Sequence, residues 1–390
     1  MFTQILLKKG KEEPLRRFHP WVFSGAIDKI KGKVQEGDIV EVFSATGEYL
    51  ATGFYQHNSI AVKIFSFERT DADYAFWKEK IRKAFVYRQS IGASGLDATN
   101  AYRLFFTEGD GIPGLIADVY ASTVVIQAHT AGVYALRHQL ADAITEVLGE
   151  KVDAVYDKSC ETLPGIATQN EYLKGEKSST IIKENNHRFH IDWEQGQKTG
   201  FFLDQCCNRQ LLATYAAGRN VLNMFCYTGG FSVYALQAGA ERVVSLDSSR
   251  KAIELTEENV AINSFTGDRH QSIVSDAKKY LENLPAKYDL IILDPPAFAK
   301  HLSQRKQAIK GYKYINYQVI KHIKPGGLLF TFSCSQAIDR NLFTSTVVSA
   351  AIEAGRNVRI MHHLTQSPDH PVNAFHPEGE YLKGLVLWVE

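Results

Sequence analysis

Two hydrophobic rhythms run along this chain, and the switch between them divides it. Over the first 70 residues the period is two. Asp38-Ile39-Val40-Glu41-Val42-Phe43, Tyr49-Leu50-Ala51-Thr52-Gly53-Phe54-Tyr55 and Ile60-Ala61-Val62-Lys63-Ile64-Phe65 read as strands, with a turn over 45–48. Residues 74–91 then read as a linker helix carrying Lys78, Lys80, Arg82 and Lys83. Strands at 102–106, after the turn Glu108-Gly109-Asp110-Gly111-Ile112-Pro113-Gly114, and at 123–128 follow. A helix at 134–148 and a strand at 154–157 complete a small α+β unit. The glycine turn lacks the Gly-Lys-Ser/Thr ending of a phosphate loop and reads as structural. From residue 186 onward, short continuous apolar runs alternate with helical segments, the mark of a parallel sheet covered on both faces. Phe189-His190-Ile191-Asp192-Trp193 reads as a strand into this domain, and 197–205 as the opening of its first helix. The expected fold is α/β, with domains at 1–70, 71–185 and 186–390.

The organising stretch is Val221-Leu222-Asn223-Met224-Phe225-Cys226-Tyr227-Thr228-Gly229-Gly230-Phe231-Ser232, read as strand, tight turn and helix. Glycine there permits a sharp turn and close approach of a ligand to the backbone. It is not a G-x-G-x-x-G site, so a nicotinamide oxidoreductase is disfavoured. Three further strands end in carboxylates: Arg242-Val243-Val244-Ser245-Leu246-Asp247, Gln271-Ser272-Ile273-Val274-Ser275-Asp276 and Tyr288-Asp289-Leu290-Ile291-Ile292-Leu293-Asp294. Acids along the carboxyl edge of a parallel sheet stand where such sheets bind ligands, and an acid ending the second strand suits ribose hydroxyls. Pro295-Pro296 forces the chain out of the sheet after Asp294, leaving Asp294 and Phe298 over that edge. A carboxylate and a ring so placed can grip and stack on a flipped-out base. A fifth strand, Gly326 to Ser335, delivers Cys334 to the same edge. That makes Cys334 a candidate nucleophile, ranked above Cys226 in the presumed cofactor turn.

Composition narrows the reading. The 390 residues are 45% hydrophobic and 22% charged with net charge +1, so any basic surface is local. One such run spans 300–324: Lys300, Arg305, Lys306, Lys310, Lys313, Lys321 and Lys324, without an acid, interleaved with Tyr312, Tyr314 and Tyr317. Cations for phosphate and rings for bases suit RNA. Arg16 and Arg17 beside Phe18, Trp21 and Phe23 allow the same reading, although the local pattern favours a core Trp21 and Phe23 with solvated arginines. Five cysteines without paired spacing, Cys206-Cys207 included, suit neither a disulfide framework nor a zinc site, and a reducing cytoplasm is expected. No window suits a membrane span.

These motifs together resemble the series found in class I S-adenosylmethionine-dependent methyltransferases. More narrowly, the chain resembles the bacterial 23S ribosomal RNA cytosine-5 methyltransferases that carry an N-terminal PUA domain. The resemblance rests on His19-Pro20-Trp21-Val22-Phe23-Ser24-Gly25, Glu108 to Gly114, Lys198-Thr199-Gly200-Phe201-Phe202-Leu203-Asp204-Gln205, Asp294-Pro295-Pro296-Ala297-Phe298, Ser333-Cys334-Ser335 and Pro377-Glu378-Gly379-Glu380-Tyr381-Leu382-Lys383-Gly384. It implies a PUA-like domain, a small α+β domain and a Rossmann-like seven-stranded domain. It implies S-adenosylmethionine as cofactor, held by Asn223, Phe225, Tyr227, Thr228, Gly229, Asp247, Asp276, Thr199 and Gln205. Cys334 would be the nucleophile and Asp294 would orient the base. Phe298, Arg305, Lys306, Lys310, Tyr312, Lys313, Arg16 and Arg17 would meet RNA. A homodimer is also implied. Cys206-Cys207 departs from the more polar residues expected there. Two alternatives stand beside this reading: a guanine-nitrogen methyltransferase without a cysteine nucleophile, and a non-catalytic RNA-binding factor.

Overall fold

The computed structural model describes residues 2–95, 97–163, 165–176, 180–265, 267–299 and 301–390; Lys300 of the basic run lies outside them. The chain forms two compact units. One comprises Met1–Asn185, Ile191–Leu203 and Pro368–Gly379, and the other Asn186–His190, Asp204–Ser367 and Glu380–Glu390.

The first unit holds two sheets. The six-stranded one runs Trp21–Phe23, Ile60–Ser66, Tyr49–Tyr55, Ile39–Phe43, Thr3–Leu7 and Ile27–Lys31. Its alternating residues bury Ile5, Leu7, Val40, Val42, Val62 and Ile64. The five-stranded one runs Glu171–Lys174, Ala154–Asp157, Thr123–Ala128, Leu115–Tyr120 and Ala101–Phe106. The linker helix, Tyr74–Ser90, starts where the Asp73 side chain accepts the Phe76 N–H, and it buries Trp77, Ile81 and Ala84. Arg88 on the same helix is fully buried and forks onto Asp110, with further bonds to the carbonyls of Arg103 (2.8 Å) and Asp369 (2.6 Å).

The second unit is built on seven strands: β1 (Asn220–Met224), β2 (Arg242–Asp247), β3 (His270–Val274), β4 (Leu290–Leu293), β5 (Gly327–Ser333), β6 (Val358–Leu364) and β7 (Lys383–Val389). Their order is β3-β2-β1-β4-β5-β7-β6. The first five are parallel, and β7 runs antiparallel between β5 and β6. The apolar runs β1, β4 and β5 are central and buried on both faces, as continuous hydrophobicity demands. Helices α1 (Cys206–Ala216), α2 (Gly230–Gln237), α3 (Arg250–Ile262), α4 (Ala277–Glu282), α5 (Arg305–His322) and α6 (Arg340–Ala354) complete it. The sequence opens the first helix at 197–205; regular helix begins only at Cys206, after a single 3₁₀ turn over Leu203–Gln205. This is the Rossmann-like α/β order, and its strand order reverses between β1 and β4, where such sheets open a crevice at their carboxyl edge.

Candidate active site

The turn after β1 is held in a conformation few residues adopt. Phe225, Tyr227 and Gly229 have φ of 59°, 46° and 75°. Two non-glycine residues in the left-handed region persist only when neighbours fix them. Here the Cys226 N–H donates to Leu246 O (3.1 Å), and the Tyr227 N–H to Asp247 Oδ2 (3.1 Å). Thr256 Oγ1 donates to Tyr227 O (2.8 Å), and Asn259 Nδ2 to Thr228 O (2.9 Å). Glycine is required at 229, because a Cβ there would stand 2.7 Å from Thr256 Cγ2. Asn223, one turn earlier, is buried. Its amide donates to Ser232 Oγ (2.9 Å), which continues to Ser245 and His270, so it ties α2 to the sheet.

Asp247 ends β2 with one oxygen on Tyr227 N–H and the other on Ser249 N–H (2.9 Å). Both bonds come from the backbone, so the carboxylate is fixed while keeping lone pairs for a diol. Asp276 is exposed, stands two residues past β3 and caps α4 through the Lys279 N–H (3.0 Å). A fixed carboxylate at the end of β2, a strained glycine turn and an exposed acid beyond β3 fit an adenosine with a cationic sulfonium. The residues present therefore suit S-adenosylmethionine.

Across the switch point the ends of β4 and β5 lie side by side. Asp294 follows β4 and accepts Gln205 Nε2 at 3.0 Å. Gln205 in turn accepts Asn208 Nδ2 at 2.6 Å, and Tyr381 Oη donates to Asp204 Oδ2 at 2.5 Å. Burial, and then the like charge of Asp204, push the Asp294 pKa up to about 7 against the pull of Gln205 and Arg209. Phe298 rests on Tyr312, with ring centroids 4.6 Å apart. Gly311 leaves room for it, since a Cβ there would come within 2.9 Å of the Phe298 ring. Ser335 Oγ donates to Ala299 O (2.6 Å), joining the segment after Asp294 to the end of β5. Cys334 lies between two fully buried serines and is itself partly exposed. Cys226 is buried, and burial pushes its thiol up to about 12, which leaves it protonated and inert.

Several predicted contacts sit elsewhere than the sequence suggested. Tyr312 is fully buried in the core beneath Phe298 and offers no ring to RNA. Thr199 belongs to the first unit, where its hydroxyl is committed to Asp118 (2.5 Å) and Tyr120 (2.9 Å). Arg305 and Lys313 are paired with Asp339 (3.1 Å) and Glu353 (2.7 Å), at the two ends of α6, so the acid-free run is partly neutralised by a helix later in the sequence. Lys306 and Lys310 are exposed and form no ion pair among the described residues. In the first unit Arg16 pairs with Glu48, and Arg17 lines a shallow groove with Glu13, Pro14, His19 and Phe375. Phe23 is 50% exposed rather than core, and the Trp21 indole donates to Glu108 Oε1 (2.8 Å). Sequence reasoning missed Asp204, Arg209, Tyr381 and Lys383. Asp204, Tyr381 and Lys383 had no signal beyond membership in the stretches ending at Gln205 and Gly384, and Arg209 lies in neither.

Among the described residues, no helix is long and apolar enough to cross a membrane. Residues 160–378 match the S-adenosylmethionine-dependent methyltransferase family, and residues 5–67 match a PUA-like domain. The ribosomal RNA large subunit methyltransferase I of Pseudoalteromonas atlantica is 39% identical over 399 residues, covering 100% of both chains. That of Alteromonas mediterranea is 38% identical over 398 residues, covering 100% of this chain and 99% of its own. A Streptococcus mutans protein described as a SAM-dependent methyltransferase has the same fold, with TM-score 0.85 at 23% identity over 100% of both chains. The chain therefore belongs to the S-adenosylmethionine-dependent ribosomal RNA large subunit methyltransferases that carry a PUA-like domain.

Proposed function

We propose that this chain methylates C5 of a cytosine in 23S ribosomal RNA through a covalent bond between Cys334 and C6. The observation that carries the reading is that Asp294 and the partly exposed Cys334 follow the ends of the adjacent parallel strands β4 and β5, on one sheet edge, and burial raises the pKa of the acid.

Cytosine C5 is a poor nucleophile. Addition of the Cys334 thiolate to C6 moves an electron pair toward C5 and N3. Asp294, about half protonated near pH 7, donates a hydrogen bond or proton to N3 as charge gathers there. S-adenosylmethionine, which the Tyr227–Gly229 turn and Asp247 would hold, would supply the electrophilic methyl group, its S–CH3 bond breaking as the bond to C5 forms and S-adenosylhomocysteine leaving. A base then takes the C5 proton, the C5=C6 bond re-forms as the C6–S bond breaks, any proton taken by N3 returns to Asp294, and Cys334 leaves as thiolate. Phe298 stacks on the base from its Tyr312 support, and Gln205 keeps Asp294 oriented. Lys306, Lys310 and Arg17 contact RNA phosphates.

The test is methyl transfer from labelled S-adenosylmethionine to unmodified bacterial rRNA by wild type and Cys334→Ala, followed by nucleoside analysis. Label in 5-methylcytidine that disappears in the variant supports the reading. Label in a methylguanosine, or an unimpaired variant, overturns it in favour of a nitrogen methylase.

A further inference from the structure

Lys383 opens β7 directly opposite Ser333 in the antiparallel β5–β7 pair. It is 4% exposed. Its ammonium donates to the carbonyl oxygen of Ser335 at 2.7 Å, one residue past Cys334. Tethering that carbonyl asks only for a neutral donor. Burying a full charge costs several kcal/mol unless an opposite charge offsets it, so the ammonium calls for a partner. The groups around it come from several elements. Glu380, just before β7, is engaged by Arg340 of α6. Asp339, the cap of α6, is engaged by Arg305 and by the Leu342 N–H. Arg340 itself is a like charge and lowers the lysine further. Of all these, Cys334 bears most strongly on Lys383: burial lowers the lysine to about 8, and Cys334 is the first charge that pulls it back up. At neutral pH Lys383 is mainly the ammonium.

We propose that Lys383 is a positioning residue for Cys334: its buried ammonium stabilises the cysteine as thiolate, and its bond to Ser335 O fixes the turn that aims the sulfur. The inference rests on Cys334 being the nucleophile. It also assigns a reason for a buried lysine that the fold alone does not need. An opposite charge close to a titrating group shifts it by roughly one pH unit or more, and Lys383 is bonded to the residue next to Cys334. Loss of the ammonium should thus reduce the thiolate fraction near pH 7 at least about tenfold.

The experiment follows the alkylation rate of Cys334 by iodoacetamide against pH in the full chain without RNA. Peptide mass mapping resolves each thiol, and exposed Cys160 and Cys207 serve as internal standards. In wild type, Cys334 should titrate below the ordinary thiol value of about 8.5. In Lys383→Met its midpoint should rise by about one unit or more, with the standards unmoved, and Lys383→Arg should restore it. An ordinary wild-type midpoint overturns the proposal and needs no variant to fold. So does a Lys383→Met midpoint equal to wild type with methyl transfer reduced, the mark of a purely structural lysine. Because the readout involves neither cofactor nor RNA, its failure is separable from that of the cytosine reading, which Cys334→Ala tests by methyl transfer.

Discussion

Asp294→Asn isolates the energetic cost of the charge just after β4. Asparagine keeps the shape and can still accept the Gln205 amide. In wild type the carboxyl titrates at about 7, against 3.8 in the unfolded chain, because burial and Asp204 disfavour its charged form. Three units at about 1.4 kcal/mol each give roughly 4 kcal/mol, and residual solvent access brings the expected cost to about 2–4 kcal/mol. The sign follows from proton counts. Between about pH 4 and pH 7 the folded chain holds this proton and the unfolded chain has released it, so folding stability falls as pH rises through that window. Above pH 7 both states are ionised and the loss is complete. The asparagine variant lacks this slope. Denaturant unfolding of the second unit, followed at about pH 5 and about pH 8, crosses about two of those three units and should show the variant gaining about 1.5–2.5 kcal/mol on wild type between the two conditions, after the same allowance for solvent access. Its methyl transfer should fall by about 100-fold or more, the scale of a lost general acid. An equal stability difference at both pH values would refute the raised pKa and the protonated Asp294 with it.

Other consequences are read more simply. Gly229→Ala, forced to φ near 75° with its Cβ against Thr256, should lose about 1–2 kcal/mol of stability and weaken S-adenosylmethionine binding in calorimetric titration; unchanged affinity would sever the turn from the cofactor. Arg88→Ala leaves Asp110 buried and unpaired and should destabilise the first unit by about 3–5 kcal/mol, seen as a lower thermal midpoint. Replacing Lys306 and Lys310 together with alanine should reduce the salt-dependence slope of RNA binding by about 1.4, or 0.7 per lost phosphate contact on single strands. A parallel line at lower affinity would place the RNA elsewhere.

The parallel sheet was legible because a strand covered on both faces must be apolar throughout, and β1, β4 and β5 are. The carboxylates at strand ends were legible for the complementary reason: the edge is where polarity returns. Tyr312 was misread because its lysine neighbours drew it into a basic run. Helical spacing from Ala308 through Tyr312, Ile315 and Val319 already put it on the inner face. Neutralisation of Arg305 and Lys313 by α6 was not legible, since the acids stand 34 and 40 positions away. Nor was the assembly around Asp294. Asp204 and Tyr381 meet only after the whole sheet has formed, and the raised pKa is a property of that meeting. Nothing in composition marks 191–203 or 368–379 as running with the first unit.

The central claim is a covalent bond from Cys334 to cytosine. RNA carrying 5-fluorocytidine offers no C5 proton to remove, so an adduct formed by attack at C6 cannot eliminate after methylation. Incubation with S-adenosylmethionine should yield a protein–RNA species that survives denaturation, with the nucleotide mapped by mass spectrometry to Cys334 and none formed by Cys334→Ala. Turnover on ordinary rRNA with no trapped species on the fluorinated RNA, or a trapped species mapped to another residue, would contradict it.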